Sequence, residues 1–242
     1  HVEATTVNKM CGSGMQATMM AHDALLAGTA DVIVAGGMES MTGAPYVMAK
    51  HRGGARIGHD VISDSMFLDG LEDAYEPGKL MGAFAEDAAG KYQFTREAQD
   101  AYAVESLTRA RAAIESGAFK AEITPVEVRT RKGSETVSVD EQPGKADPAK
   151  IPTLKPAFAK DGTVTAANAS SISDGAAALV MMRESTAKAL GLPVVARIVA
   201  HAAHAHEPGL FTTAPVPAMQ KALKKAGWVV TDVDLWEVNE AF

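Results

Sequence analysis

The single cysteine of the 242-residue chain lies in the stretch VNKMCGSGMQA, residues 7–17, between an extended apolar segment and a helical pattern. A helix start presents unpaired backbone N–H groups and the positive end of the helix dipole, and both favour a thiolate. Gly12 and Gly14 carry no side chains, so a bulky group can approach the sulfur of Cys11. Residue types alone leave two interpretations open: Cys11 is a reactive nucleophile, or it is a small buried core residue.

Two other stretches have residue types that bind ions. His201, His204 and His206 form HAAHAH, but the only carboxylate beside them in the sequence is Glu207, so we expect a solvated turn and no metal site. The stretch AGGMES is rich in glycine but lacks the Lys and Ser/Thr of a phosphate-binding loop. Neither stretch predicts chemistry that competes with that of Cys11.

Composition excludes several function classes. The net charge is −7, from 23 basic and 30 acidic residues without a basic cluster, so we expect no nucleic-acid partner. One cysteine allows neither an internal disulfide framework nor a Cys-rich zinc site, and it fits a reducing, cytoplasmic location. No apolar run reaches the roughly 18 residues of a membrane span, and the first residues lack a signal-peptide pattern.

Apolar patterns and punctuating Gly and Pro residues predict alternating strands and helices, which is typical of an α/β protein. A Gly-, Pro- and Met-rich stretch without sustained periodicity begins near residue 41. Together with the helix, hairpin and loop that follow it, this stretch forms a mixed insertion from about residue 43 to residue 161. The predicted strands cover residues 2–10, 30–37, 176–182, 194–202 and 233–238, and a predicted hairpin turns at Lys132-Gly133. The predicted helices cover residues 13–27, residues 96–116, a short segment that ends before Gly191, and a segment that begins at Pro215 and ends before Gly227. Thr95 is the predicted N-cap of the helix over 96–116.

The first two predicted strands and the helix between them would form a βαβ unit. In this unit the run ADVIVAGG is apolar throughout and rich in β-branched residues, as in strands that are buried on both faces of a parallel sheet.

Five motifs, in order, resemble the thiolase family of acyl-CoA C-acyltransferases. VNKMCGSGMQA followed by ADVIVAGGMESMTGAPY resembles the region of the family's nucleophilic cysteine, and KLMGAFAED, TLKPAFAKDGTVTAANASSISDGAAALVMM, FTTAPVPAMQKAL and VNEAF follow. The resemblance implies the α/β thiolase fold, with two similar βαβ-rich halves in a layered α/β/α/β/α sandwich. It divides the chain into an amino-terminal half (1–44 and 162–191), an inserted loop subdomain (45–161) and the start of a carboxyl-terminal half (192–242).

The resemblance also implies the reaction and its residues. Cys11 would accept an acyl group from acyl-CoA, and Asn239 would hold a water in an oxyanion hole for the thioester carbonyl of the second acyl-CoA. The substrates would be coenzyme A thioesters in fatty acid metabolism, with no cofactor, and the enzyme a homodimer or homotetramer. Positions that match substrate contacts are Leu71 and Met81 in the covering subdomain, Phe158 near the adenine, Ala166 and Ser170 along the pantetheine arm, and Phe211 and Phe242 in the acyl pocket.

The sequence departs from short-chain members of the family at several positions. Leu80 stands where many have histidine, Phe211 replaces a common methionine, and Gly144-Lys145 falls where an arginine often contacts the nucleotide. These departures leave acyl-chain preference and nucleotide contacts open. A ketoacyl synthase is an alternative that the NKMCGSGM context does not match, and a non-catalytic acyl-CoA-binding relative with an inert thiol is another.

The two ends of the sequence predict an internal piece of a longer enzyme. Residue 1 is His, the first residues have a strand pattern, and VDLWEVNEAF closes on an aromatic residue. The family's activating histidine, in a Gly-His-Pro motif, and its second catalytic cysteine would follow Phe242. We therefore expect the 242 residues alone to be inactive in the full reaction.

Overall fold

The structure, a computed structural model, describes residues 2–131 and 133–242. Its helices are α1 (Ser13–Ala27), α2 (Met81–Tyr92), α3 (Arg96–Ser116), α4 (Glu141–Lys145), α5 (Glu184–Ala189) and α6 (Pro215–Ala226), and its strands are β1 (Val32–Ser40), β2 (Tyr46–Val47), β3 (Ser63–Asp64), β4 (Val126–Thr130), β5 (Gly133–Val137) and β6 (Asp174–Met182). Short 3₁₀ turns cover His51–Gly53, Pro148–Thr153, Pro208–Thr213 and Val230–Asp232, and a π-helical turn covers Phe67–Leu71.

The chain folds into two compact units. The first contains the residues up to Met81 together with Ile172–Val238, and the second contains Gly82–Ser171 together with Asn239–Phe242. Each unit therefore combines segments that are distant in sequence. The three-part division derived from the sequence (1–44 with 162–191, 45–161, and 192–242) stays a prediction.

The first unit is built on an antiparallel pair of strands against which α1 packs. Strand β1 pairs with β6 from Val32 opposite Met182 to Ser40 opposite Asp174. The start of α1 approaches β1 very closely, since a Cβ added to Gly37 would lie 3.4 Å from the Cα of Gly14. A Cβ added to Gly14 would lie 3.7 Å from the Gly37 nitrogen, an ordinary van der Waals distance, so helix α1 packs on β1 at this glycine without excluding a small side chain.

Several predicted elements of the first unit are confirmed. Helix α1 has the predicted bounds and ends at Gly28, whose φ of +74° is the left-handed conformation that glycine adopts easily. Strand β1, strand β6, helix α5 and helix α6 also form where the patterns predict them. In α6 the predicted apolar face is half-buried and the lysines are exposed, while Val216 near the start of the helix is exposed; that face consists of Met219, Ala222, Leu223 and Ala226.

The predicted parallel βαβ unit and three predicted strands are wrong. Strand β1 runs antiparallel to β6, and most of its residues are exposed, Val34 to 68%. Among the described residues no strand forms over 2–10, 194–202 or 233–238; the first of these segments has only an isolated bridge between Lys9 and Cys11. An apolar, β-branched run forms a strand only where another segment hydrogen-bonds alongside it, and composition does not reveal that partner.

The second unit packs α2 and α3 with the loops that precede and follow residue 160. Its core includes Phe84, Ala85, Ala89, Ile151 and Val164. Helix α3 confirms the predicted cap, because the hydroxyl of Thr95 accepts a hydrogen bond from the Ala98 N–H at 3.2 Å. Helix α2 was not predicted, because its many small residues do not form a clear apolar face at helical spacing.

The β4–β5 hairpin of the second unit is confirmed, with Val126 opposite Val137. Of its predicted turn, Lys132 lies outside the described residues. In the part of the chain that the structure describes, no helix combines the length and the apolar character that crossing a bilayer requires.

Candidate active site

Cys11 is exposed and lies two residues before the first residue of α1, at the helix start where the sequence places it. The residue between Cys11 and the helix is Gly12, which occupies the N-cap position without a side chain to cap the first turn. Backbone donors at the start of a helix lack partners within the helix and favour a nearby negative charge. The oxyanion of an intermediate formed on the sulfur during acyl transfer would therefore lie near the positive end of the α1 dipole. The N–H groups of Gly12 and Ser13 themselves donate to the carbonyls of Lys9 and Met10 at 3.0 and 3.2 Å.

The turn that carries Cys11 is held by hydrogen bonds of its neighbours. The Met10 N–H donates to the side-chain oxygen of Asn8 at 3.0 Å, and the Lys9 N–H donates to Ser13 Oγ at 2.8 Å. Met10 has a φ of +49°, a left-handed conformation that non-glycine residues rarely adopt. Such conformations persist where surrounding contacts fix them, and they are common at functional sites.

Hydrogen bonds of Glu240 and Ala241 hold residues 239–242 in the second unit. Glu240 accepts hydrogen bonds from Tyr102 Oη at 3.1 Å and from Ser106 Oγ at 2.6 Å, both on α3. The Ser170 N–H donates to the carbonyl of Ala241 at 3.0 Å. Asn239, the predicted oxyanion-hole residue, is exposed beside this anchored glutamate. Sequence reasoning missed Glu240, although it is part of the VNEAF motif.

The aromatic rings of Phe158 and Phe242 meet edge to face, with centroids 6.2 Å apart. Phe158 also lies flat against α2, because a Cβ added to Gly82 would come within 2.3 Å of the Phe158 ring. Three predicted substrate-binding positions, Phe158, Ser170 and Phe242, are thus brought together in the second unit. Gly82 is a further residue of this cluster that the sequence did not reveal.

Replacing Gly82 by alanine is expected to destabilise the protein, because the new methyl group must displace the Phe158 ring; overpacking of this kind costs about 1–3 kcal/mol. The matched control is Gly90→Ala on the same helix, where an added Cβ meets nothing within 4 Å. That control should stabilise the helix by about 1 kcal/mol, since glycine is a poor helix former. Urea unfolding measures both variants, and equal midpoints would contradict the proposed ring contact.

Ala166 and Ser170 are exposed, whereas Val164 and Thr165, which precede them in the same loop, are buried. Glu86 on α2 accepts hydrogen bonds from the N–H groups of Thr163 and Val164 at 2.9 and 2.8 Å. Asn168 and Asp100, both buried, join the loop to α3. Sequence reasoning missed these polar residues, because nothing in their local pattern distinguishes a buried carboxylate from an exposed one.

The other predicted site residues lie in separate segments of the first unit. Leu71 ends the π-helical turn Phe67–Leu71, and Met81 is the first residue of α2; both are half-buried. Phe211 lies in the 3₁₀ turn Pro208–Thr213 and is partly exposed. These three residues and Cys11 stay predicted contacts of the substrate.

The histidine-rich stretch has a carboxylate partner that is distant in sequence. Nε2 of His201 lies 2.8 Å from Oδ1 of Asp23, and Nδ1 of His22 lies 3.4 Å from the same oxygen. These hydrogen bonds hold the pKa of Asp23 below its usual range. The potential ligand atoms of His22, Asp23 and His201 lie within 4.8 Å of one another, so the three side chains could contact one ion. The hydrogen bonds alone account for the arrangement.

Comparisons with known proteins cover the whole chain. The profile described as "Thiolase, N-terminal domain" matches residues 1–185, and "Thiolase, C-terminal domain" matches residues 192–242. Acetyl-CoA acetyltransferase of Pseudomonas aeruginosa is 51% identical over 100% of this chain, and acetyl-CoA acetyltransferase 2 of Arabidopsis thaliana is 52% identical over 100%. The chain spans 62% and 60% of these two relatives.

The fold is shared with solved structures of similarly named proteins. The crystal structure of the Bacillus anthracis acetyl-CoA acetyltransferase superposes with a TM-score of 0.92 at 42% identity, covering 98% of this chain and 60% of the other. This likeness confirms the predicted α/β thiolase fold, and the predicted motifs lie within the residues that the two domain profiles match. The chain belongs to the thiolase family.

Proposed function

We propose that the chain carries the nucleophile of an acyl-CoA C-acyltransferase that makes or cleaves 3-ketoacyl-CoA. The observation that carries the proposal is the place of Cys11, the only cysteine, exposed on a fixed turn at the start of α1. A core cysteine would be buried, so the exposure of Cys11 favours a reactive nucleophile over a small core residue. Relatives named acetyl-CoA acetyltransferase support the same reaction class.

The first half-reaction transfers the acyl group to sulfur. The thiolate of Cys11 attacks the thioester carbonyl of acyl-CoA, the bond between the carbonyl carbon and the coenzyme A sulfur breaks, and coenzyme A leaves as the thiol with the proton lost by Cys11. The negative oxygen of the tetrahedral intermediate needs hydrogen-bond donors, and the Cys11 N–H at the helix start is one candidate.

The second half-reaction forms the carbon–carbon bond. A base removes a proton from the α-carbon of a second acyl-CoA, and the resulting carbanion attacks the thioester carbonyl on Cys11. The bond between the acyl carbon and Sγ then breaks, and Cys11 leaves as the thiolate. Asn239 is proposed to orient a water that stabilises the enolate oxygen of that second acyl-CoA. The anchoring of its neighbour Glu240 by Tyr102 and Ser106 supports a fixed position for Asn239.

Acyl-CoA and coenzyme A are the proposed ligands, with no further cofactor. Contacts are proposed at Leu71, Met81, Phe158, Ala166, Ser170, Phe211 and Phe242. A homodimer or homotetramer, a cytoplasmic location and a place in fatty acid metabolism complete the proposal; the single cysteine supports the reducing location.

Incubation with acetyl-CoA, followed by peptide mapping with mass spectrometry, tests the proposal. A single acetyl group on Cys11, removed by added coenzyme A, is the expected result. A protein that binds coenzyme A without acetylation at Cys11 would instead be the non-catalytic acyl-CoA-binding relative. Label at other residues, with Cys11 unmodified, would contradict the proposed nucleophile.

A further inference from the structure

The loop of residues 163–168 has a buried side and an open side. Thr165 is 0% exposed and Val164 2%, whereas Ala166 is exposed and so is Ser170 just beyond the loop. Residues 163–168 lie outside the helices and strands, and apart from the hydrogen bond from the Ala157 N–H to the Val164 carbonyl at 2.9 Å the hydrogen bonds that hold them come from side chains. Their shape therefore depends on side-chain hydrogen bonds to the backbone, which substitution can remove one at a time.

Asn168 is the central residue of this arrangement. Its side-chain oxygen accepts a hydrogen bond from the Thr165 N–H at 2.7 Å, and its amide nitrogen donates to the Thr163 carbonyl at 3.1 Å. The same nitrogen donates to Oδ1 of Asp100 at 3.1 Å. With 9% exposure, Asn168 has almost no access to water that could replace these partners.

Asp100 connects the loop to α3 and is itself paired. It is 6% exposed, and its second oxygen accepts a hydrogen bond from Arg96 Nε at 2.7 Å. Arg96 in turn donates to the carbonyls of Ile151 and Leu154 at 3.0 and 2.9 Å. A buried carboxylate with both oxygens occupied has strong directional preferences, so it fixes the orientation of Asn168.

We propose that Asn168, oriented by Asp100, is a positioning residue that shapes the coenzyme A loop and sets the affinity for acyl-CoA. The proposal rests on the proposed function, since Ala166 and Ser170 are the positions that the family resemblance places along the pantetheine arm. Because the pantetheine arm does not include the reacting bond, we expect it to be bound alike before and during acyl transfer. A misplaced loop should therefore raise the half-saturating acetyl-CoA concentration and leave the maximal acylation rate nearly unchanged.

The test compares the wild-type protein with Asn168→Asp, which keeps the size of the side chain but faces Asp100 with a like charge and removes two donor hydrogens. We expect the half-saturating acetyl-CoA concentration for Cys11 acetylation to rise about tenfold, the scale of a broken buried hydrogen-bond network. The maximal acetylation rate should stay within about twofold. Amide hydrogen exchange at Thr165 and Ala167 should accelerate.

Two further variants separate positioning from general damage. Asp100→Asn combined with Asn168→Asp restores a carboxylate–amide pair at the wild-type net charge, and should recover a substantial part of the lost affinity. Glu105→Gln on the same helix removes an exposed carboxylate and should change neither parameter. If Asn168→Asp fails to fold, Asp100→Asn alone, which keeps a hydrogen-bond acceptor, takes its place and should show a smaller shift in the same direction.

The results that would overturn the inference differ from those that would overturn the proposed function. Wild-type acetylation with an unchanged half-saturating concentration in Asn168→Asp overturns the inference alone. A fall in the maximal rate without a change in half-saturation also overturns it, because that result indicates a general structural role. Failure of the wild-type protein to bind coenzyme A or to acetylate Cys11 overturns the proposed function.

Discussion

Replacement of Cys11 by serine is expected to reduce acetylation by acetyl-CoA by roughly 10³-fold or more, the scale on which loss of a covalent nucleophile lowers turnover. A serine hydroxyl at the same place stays protonated near neutral pH, and the described start of α1 supplies no basic side chain bonded to residue 11. Mass spectrometry of the intact protein, followed over hours at saturating acetyl-CoA, measures the remaining rate. Cys11→Ala should behave as Cys11→Ser does.

Met15→Ala is the matched control for this experiment. Met15 is on the first turn of α1 and highly exposed, so its truncation alters the surface near the thiol without removing packing. The control should acetylate at the wild-type rate. Acetylation of Cys11→Ser at more than a tenth of the wild-type rate would contradict the role of Cys11. Circular dichroism of all three variants verifies that α1 is intact.

The position of Cys11 before a helix could be predicted because it depends on local sequence. Helix α1 starts and ends where its glycines and its periodicity indicate, so the junction that carries Cys11 is defined by residues within a few positions. Helix α3 is predictable for the same reason, with Thr95 at its start and Gly117 at its end. Local capping signals are therefore sufficient to place a residue at a helix start.

Strand partners depend on residues that are distant in sequence, and these were not predictable. The run ADVIVAGG has the composition of a buried parallel strand, yet β1 pairs antiparallel with β6, about 140 residues further along the chain. Residues 194–202 are also apolar and β-branched, but they form no strand pairing with any of the described residues. Composition measures the tendency of a segment to be extended, and the choice of neighbour is a tertiary property.

The polar supports of the site were missed for a related reason. Asp100, Glu86 and Glu240 are ordinary acidic residues in the sequence, and only the structure shows that their carboxylates accept hydrogen bonds from loop or helix donors. The family resemblance identified positions that match substrate contacts, such as Ser170. It did not identify the buried residues that hold those positions, because their role depends on the packing of α2 and α3 against the loop.

The 242-residue chain, produced by itself, is expected to exchange acetyl groups but not to condense them. Transfer from acetyl-CoA to Cys11 and back to coenzyme A uses one nucleophile, and it should be slow because the 242 residues contain no Gly-His-Pro motif, in which the family resemblance places the activating histidine. Condensation also needs a base that removes a proton from the α-carbon of the second acyl-CoA. Cys11 is the only cysteine, it cannot act as that base while acylated, and the 242 residues contain no Gly-His-Pro motif. Loss of a general acid–base group lowers turnover by about 10²–10⁴-fold.

Two assays on one preparation test this expectation. Exchange of isotopically labelled coenzyme A into acetyl-CoA should be detectable and should disappear in Cys11→Ala, which shows that the site is folded. Formation of acetoacetyl-CoA should fall about 10²–10⁴-fold below that of the Pseudomonas aeruginosa acetyl-CoA acetyltransferase assayed in parallel. Condensation within about tenfold of that relative would mean that another side chain of these 242 residues removes the α-proton, because a missing base costs at least ~10²-fold. The histidine pair beside Asp23 would then be the first group to substitute, since its two imidazoles are held by a carboxylate in the same unit as Cys11.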